Sequence, residues 1–80
     1  MNSNQQIINM VLKTIKEHDF VKHWENGYGN FVGQRVYNFQ NGLKLANYNG
    51  LFAVYFKNQT LATLWDNDAD LIYQAISDKQ

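Results

Sequence analysis

Eighty residues make one domain, spanning positions 1–80, and 45% apolar content with 15% aromatic is ample to fill its core. A chain of this size buries only about 60% of its unfolded surface. With no cysteine it has neither a disulfide nor a thiolate-bound metal to support it. Seven basic and seven acidic residues cancel, which excludes the overtly basic balance of a general polyanion binder.

The chain opens on a predicted helix. Ser3-x-x-Gln6 fits a capping box, in which the Ser side chain accepts from the third helical N–H and the Gln reaches back. Ile7, Ile8, Val11, Leu12 and Ile15 then recur at helical offsets. The helix is expected to end near His18 or Asp19. Residues 19–33 form a connection longer than the usual one, so they are either functional or hide another element. Within them, Phe20-Val21-Lys22-His23-Trp24 reads as a short strand or a last helical turn.

Two Asn-Gly pairs, Asn41-Gly42 and Asn49-Gly50, punctuate the middle of the chain between runs of strand-forming residues. Asn-Gly suits a two-residue hairpin turn, whose central residues both need positive φ. Four strands follow from this: Gln34–Gln40, Leu43–Tyr48, Leu51–Lys57 and Thr60–Trp65. The last turn, Asn58-Gln59, is the weakest, because Gln tolerates positive φ poorly. A second helix is expected from about Asp68 to Ser77, capped by Asp66, Asn67 or Asp68, with Leu71, Ile72, Ala75 and Ile76 as its apolar stripe. The predicted fold is α+β: helix, four-stranded antiparallel meander sheet, helix, with both helices on one sheet face.

Two-residue loops at all three turns fix a register, and residues opposed across strands share a face. One face then collects Val36, Leu43, Leu45, Phe52, Val54, Phe56, Leu61, Thr63 and Trp65, and is assigned to the core. The other collects Arg35, Tyr37, Phe39, Lys44, Ala46, Tyr48, Leu51, Ala53, Tyr55, Ala62 and Leu64. Two short helices cover one face of such a sheet but not both. An uncovered face rich in aromatics marks an interaction site, so Arg35, Tyr37, Phe39, Lys44, Tyr48, Tyr55 and Leu64 are the candidate binding residues. Tyr and Arg are enriched at protein interfaces. The leading expectation is therefore a protein partner or a second copy in a homodimer. The alternative is single-stranded RNA or DNA stacked on the same aromatics, with Arg35 or Lys44 near phosphates. A third reading has residues 19–33 folding over this face.

Catalytic and metal chemistry find little support. His18 and His23 do not have a metal-ligand spacing. Asp66-x-Asp68-x-Asp70 begins like a calcium loop, but Leu71 and Ser77 stand where that loop needs Gly and a carboxylate. Gly27-x-Gly29 is too short for a dinucleotide fingerprint. Ser3 and Ser77 lie at the chain ends without a plausible base. The expectation is a non-enzymatic protein that uses no cofactor and no metal.

The hairpins Asn41-Gly42-Leu43-Lys44-Leu45 and Phe52-Ala53-Val54-Tyr55-Phe56-Lys57-Asn58 are superficially similar to those of bacterial Sm-like RNA chaperones. The spans that separate the helix, Asn41, Leu45 and Phe52 do not fit that family, and the second helix has no counterpart there. The helix–strands–helix order is similar to double-stranded RNA-binding domains, but Asp66, Asp68 and Asp70 replace the basic start of their second helix. Neither family is assigned.

No apolar run approaches the roughly 20 residues of a membrane span, and the first six residues lack the features of a secretory signal. A cytoplasmic location is expected. Lys outnumbers Arg six to one, and Asn with Gln makes about a fifth of the chain. That bias is typical of AT-rich bacterial and phage genomes. Together these readings point to a small accessory or inhibitor protein of a phage or mobile element.

Overall fold

The computed structural model describes residues 4–26, 33–48 and 50–80. Helix α1 (Asn4–Glu17) is followed by five strands, β1 (Phe20–Glu25), β2 (Gln34–Phe39), β3 (Leu43–Tyr48), β4 (Leu51–Phe56) and β5 (Gln59–Leu64), and then by helix α2 (Asp66–Lys79). The strands form one antiparallel sheet in sequence order. The α+β class is as expected, with five strands rather than four. The additional strand is β1, which extends the sheet at the edge of β2 from Phe20↔Phe39 to Glu25↔Gln34. Residues 20–25 therefore widen the sheet instead of folding over it. The expected capping residue Ser3 lies outside the described residues.

Both helices pack on the same sheet face. Ile7, Ile8, Val11 and Ile15 of α1 and Ala69, Ile72 and Ile76 of α2 join Tyr37, Phe39, Leu43, Leu45, Phe52, Val54 and Leu64 in one buried cluster. On α2 the buried positions recur at offsets of three and four, which sets the stripe on Ala69, Ile72 and Ile76. Leu71, expected in that stripe, falls to its side and is exposed. The helix also starts two residues earlier than expected. Trp65 stands at its N-cap, extended and without a side-chain cap. Lys79 closes the other end of the helix layer. Its Nζ donates to the carbonyls of Ile15 at 2.6 Å and His18 at 2.5 Å, at the C-terminus of α1.

The central hairpin follows the expected register, with Tyr48 opposite Leu51. The loop is Asn49 and Gly50; Gly50 adopts φ +77°, while Asn49 lies outside the described residues. The two outer hairpins do not follow the expected register, and both departures move side chains between faces. Between β2 and β3 the ladder runs Arg35↔Asn47 to Asn38↔Lys44, which leaves Gln40, Asn41 and Gly42 as a three-residue loop. Only Gly42 is left-handed there, at φ +98°, and its N–H bonds the Phe39 carbonyl at 3.1 Å. A two-residue turn of the expected kind needs positive φ at Asn as well. Instead Asn41 keeps negative φ and uses its Oδ1 to accept from the Leu43 N–H at 3.1 Å. The extra residue shifts the pairing by one and turns β2 over.

Between β4 and β5 the turn is Lys57-Asn58, flanked by Phe56↔Gln59, rather than Asn58-Gln59. Lys57 and Asn58 take φ +50° and +70°. A register shift between Val54 and Tyr55 then offsets the rest of β5, so that Val54 opposes Ala62 and Phe52 opposes Leu64. This bulge sends Ala62 and Leu64 to the helix side and Thr63 to the other.

Candidate functional site

The sheet face away from the helices is built in three rows across the strands. The middle row runs His23, Val36, Ala46, Ala53 and Thr63. Val36, Ala46 and Ala53 form a small second cluster, almost inaccessible, with Tyr48 and Tyr55 packed against it. One flanking row runs Val21, Asn38, Lys44, Tyr55 and Thr60. The other holds the pairs Glu25↔Gln34 and Tyr48↔Leu51. Trp65, extended after β5, continues the alternation on to this face and is 58% exposed. Small side chains in the middle let two tyrosines lie down over them, one from each flank.

Of the expected binding residues, the structure brings together Lys44, Tyr48 and Tyr55. Lys44 sits over the Tyr55 ring with its Nζ 5.3 Å from the centroid. The other four lie on the helix side instead. Tyr37 and Phe39 point under the helices, 4% and 5% exposed, because the three-residue loop turns β2 over. Leu64 is fully buried there because the β5 bulge turns its end over. Arg35 shares the Tyr37 side of β2. Burial raises the Tyr37 pKa, and the Arg35 charge opposes that rise.

A polar network that sequence reasoning missed lies on the open face at the β1–β2 edge. The ring of His23 bonds Glu25 through Nε2 at 2.8 Å and Asn38 through Nδ1 at 3.3 Å. Gln34 Nε2 donates to the other Glu25 oxygen at 3.2 Å. The His23 hydrogen bond holds the Glu25 carboxyl below the usual range, burial opposes this, and Gln34, Lys44 and the His23 charge add to the lowering. The signal was available: taking residues 20–25 as a strand puts Val21, His23 and Glu25 on one side by alternation alone.

Beside Tyr55 the face dips into a concavity of about 410 Å³ lined by Asn38, Lys44, Lys57 and Asn58 among others, with no carboxylate among the described lining residues. Two cations, two amides and a phenol offer hydrogen bonds and charge to an anionic or amphipathic ligand. Among the described residues no three His, Cys, Asp or Glu side chains gather to hold a metal ion. Nor is any described helix long and apolar enough to cross a membrane.

Comparison with known proteins yields no match, whether to a family model, a curated protein or a solved structure.

Proposed function

We propose that this chain is a non-enzymatic binding module that engages a protein partner through the helix-free sheet face, in the manner of a small phage or mobile-element accessory or inhibitor protein. The observation that supports this reading is the arrangement of Tyr48 and Tyr55 over Val36, Ala46 and Ala53, flanked by Lys44 and the exposed Trp65. Aromatic rings immobilised on a rigid sheet lose little entropy on binding, and such residues dominate interface energetics. The test is capture of partners from a native lysate, compared between the unmutated chain and Tyr48→Ala and Tyr55→Ala variants. A partner retained by the unmutated chain and lost by both variants supports the reading. Equal retention by all three removes it.

A second reading, binding of single-stranded nucleic acid on the same face, is favoured by one observation. Lys44 and Lys57 flank Tyr55 in a concavity that lacks carboxylates among its described lining residues. Stacking of a base on Tyr55 with phosphates near the lysines would give affinity for a mixed oligonucleotide that falls steeply with salt.

A further inference from the structure

We infer that β1 is the seam of a homodimer: two copies join edge to edge through antiparallel β1 strands, with His23 on the two-fold axis. This edge adjoins the open face, to which it contributes Val21, His23 and Glu25, but the pairing does not depend on what that face binds. The starting point is the difference between the two edges of the sheet. Strand β5 carries the register shift opposite Val54 and Tyr55 and springs from a left-handed turn, devices that blunt an edge. Strand β1 carries no such shift, and its guards are the charges of Lys22 and Glu25. It keeps unbroken register with β2 over six residues, and no described strand pairs with its outer side. Its outer backbone N–H and C=O groups form a regular template for another strand.

The side chains of β1 argue for a second copy as the occupant. Val21 is 71% exposed and Trp24 56% exposed. The Trp24 indole lies against Gly33, where an added Cβ would meet the ring at 2.3 Å, and its Nε1 donates to Asn26 Oδ1 at 3.2 Å. The ring is therefore held in place while much of it remains in water.

Two-fold symmetry limits how β1 meets itself. An antiparallel two-fold pairing within one sheet keeps both copies' helices on the same side, so paired residues must share a face and the axis must pass through a residue. An axis at Lys22 sets Lys22 against its own copy, a like-charge pair that is destabilising. An axis at Trp24 leaves only residues 23–25 of the strand paired. An axis at His23 pairs residues 21–25 in full and sets the two imidazoles opposite each other, each bonded to its own Glu25 carboxylate. It sets Lys22 opposite Trp24 of the other copy, a cation–π contact made twice. It also sets Val21 opposite Glu25, whose charge its own His23 and Gln34 already engage. The two five-stranded sheets then become one continuous sheet with a doubled open face.

The absence of cysteine makes the test clean. On the axis of an antiparallel pair, the two Cα atoms at position 23 lie about 4.5–5.5 Å apart, within the range a disulfide bridges. Away from the axis the two copies of position 21 are separated by four residues, about 13 Å. Under mild oxidation His23→Cys is expected to cross-link to a covalent dimer, while Val21→Cys and the β5-edge variant Thr60→Cys stay single chains. The unmutated chain is expected to shift from one-chain to two-chain mass with rising concentration in light scattering. A one-chain mass up to the solubility limit overturns the inference whatever the cysteine variants do. So does cross-linking of Val21→Cys or Thr60→Cys as efficient as that of His23→Cys. A partner strand from another protein on β1, with the chain alone monomeric, also overturns it.

Discussion

The side-chain amide of Asn41 joins the β2–β3 loop to α1: its Nδ2 donates to Thr14 Oγ1 at 3.2 Å. Its Oδ1 at the same time accepts from the Leu43 N–H, so one residue holds the three-residue loop and ties it to the helix. Thr14 is buried on α1 and itself donates to Met10 Sδ at 3.8 Å. Replacing Asn41 by Ala removes both bonds and leaves the Thr14 hydroxyl short of a partner. The expected loss is about 1–3 kcal/mol, read as a lower midpoint with unchanged slope in urea unfolding. Thr14→Val in the same background should show coupling, since the two changes break one contact.

Lys57 at φ +50° is the most strained of the turn residues. A residue with a Cβ in the left-handed region costs roughly 1–2 kcal/mol. Asn58 tolerates that region better. Converting the turn to Asn-Gly, by Lys57→Asn with Asn58→Gly, should stabilise the protein by about 1 kcal/mol, after loss of the Lys57 contact over the Phe56 ring. For a domain of this size that is a rise in Tm of about 4–8 °C. An unchanged or lower Tm would show that the Lys57 side chain contributes more than its backbone strain removes.

These two loops also explain what the sequence made legible. The helices, the strand boundaries and the central hairpin follow from local rules that act within a few residues: the stripe of α1, the Asn-Gly at 49–50, and alternation along each strand. Face assignment is a relation between strands. It was inherited through the turns, so one extra residue at Gln40–Gly42 and one bulge in β5 displaced Tyr37, Phe39 and Leu64 together. The pattern Arg35-Val36-Tyr37-Asn38-Phe39 held a clue. Read on its own, it alternates Tyr37 and Phe39 against Asn38 and favours burying the aromatics. Strand β1 was legible only as one of two readings of residues 20–24, because Lys22, His23 and Glu25 dilute its apolar signal, as befits an edge strand exposed on most of its length.

The displaced faces make opposite predictions for two tyrosines. Tyr37 packs between Phe20 and Phe52, with ring centroids at 5.3 and 6.4 Å. Tyr37→Ala should cost about 3–5 kcal/mol, the usual range for truncating a buried aromatic, and should unfold a marginal domain. Tyr55→Ala removes a half-buried ring from the open face and should cost less than half as much. Circular dichroism melts of the two variants decide the matter. A larger loss for Tyr55 would place β2 the other way up.

Lys79 acts as a tether across the helix layer. Its ammonium satisfies two carbonyls at the end of α1, where four are left without intrahelical donors, and a cation is favoured there. Asp19 stands 4.0 Å away and, being exposed, contributes little. Lys79→Met keeps the alkyl stem and loses the charge. The expected cost is about 1 kcal/mol, discounted for partial exposure. Hydrogen exchange should quicken in the last turn of α1 before it does in the strands. Uniform protection loss would show instead that α2 as a whole has loosened.

The Glu25–His23 contact sets the direction of one acid-range effect. His23 holds the folded Glu25 carboxyl below its ordinary value, so the folded state binds that proton less readily than the unfolded chain. The stability this contributes is fully present above the unfolded value, near 4.3. It is lost as pH falls through the lower, folded value, where both states become protonated. The stability difference between the unmutated chain and Glu25→Gln should therefore decline as pH falls through that range. A carboxyl-carbon NMR titration reads the shift directly. The Glu25 midpoint should move up toward the ordinary range in His23→Ala, with Gln34 retaining part of the lowering. An unmoved midpoint would transfer the effect from His23 to the other groups around the carboxylate.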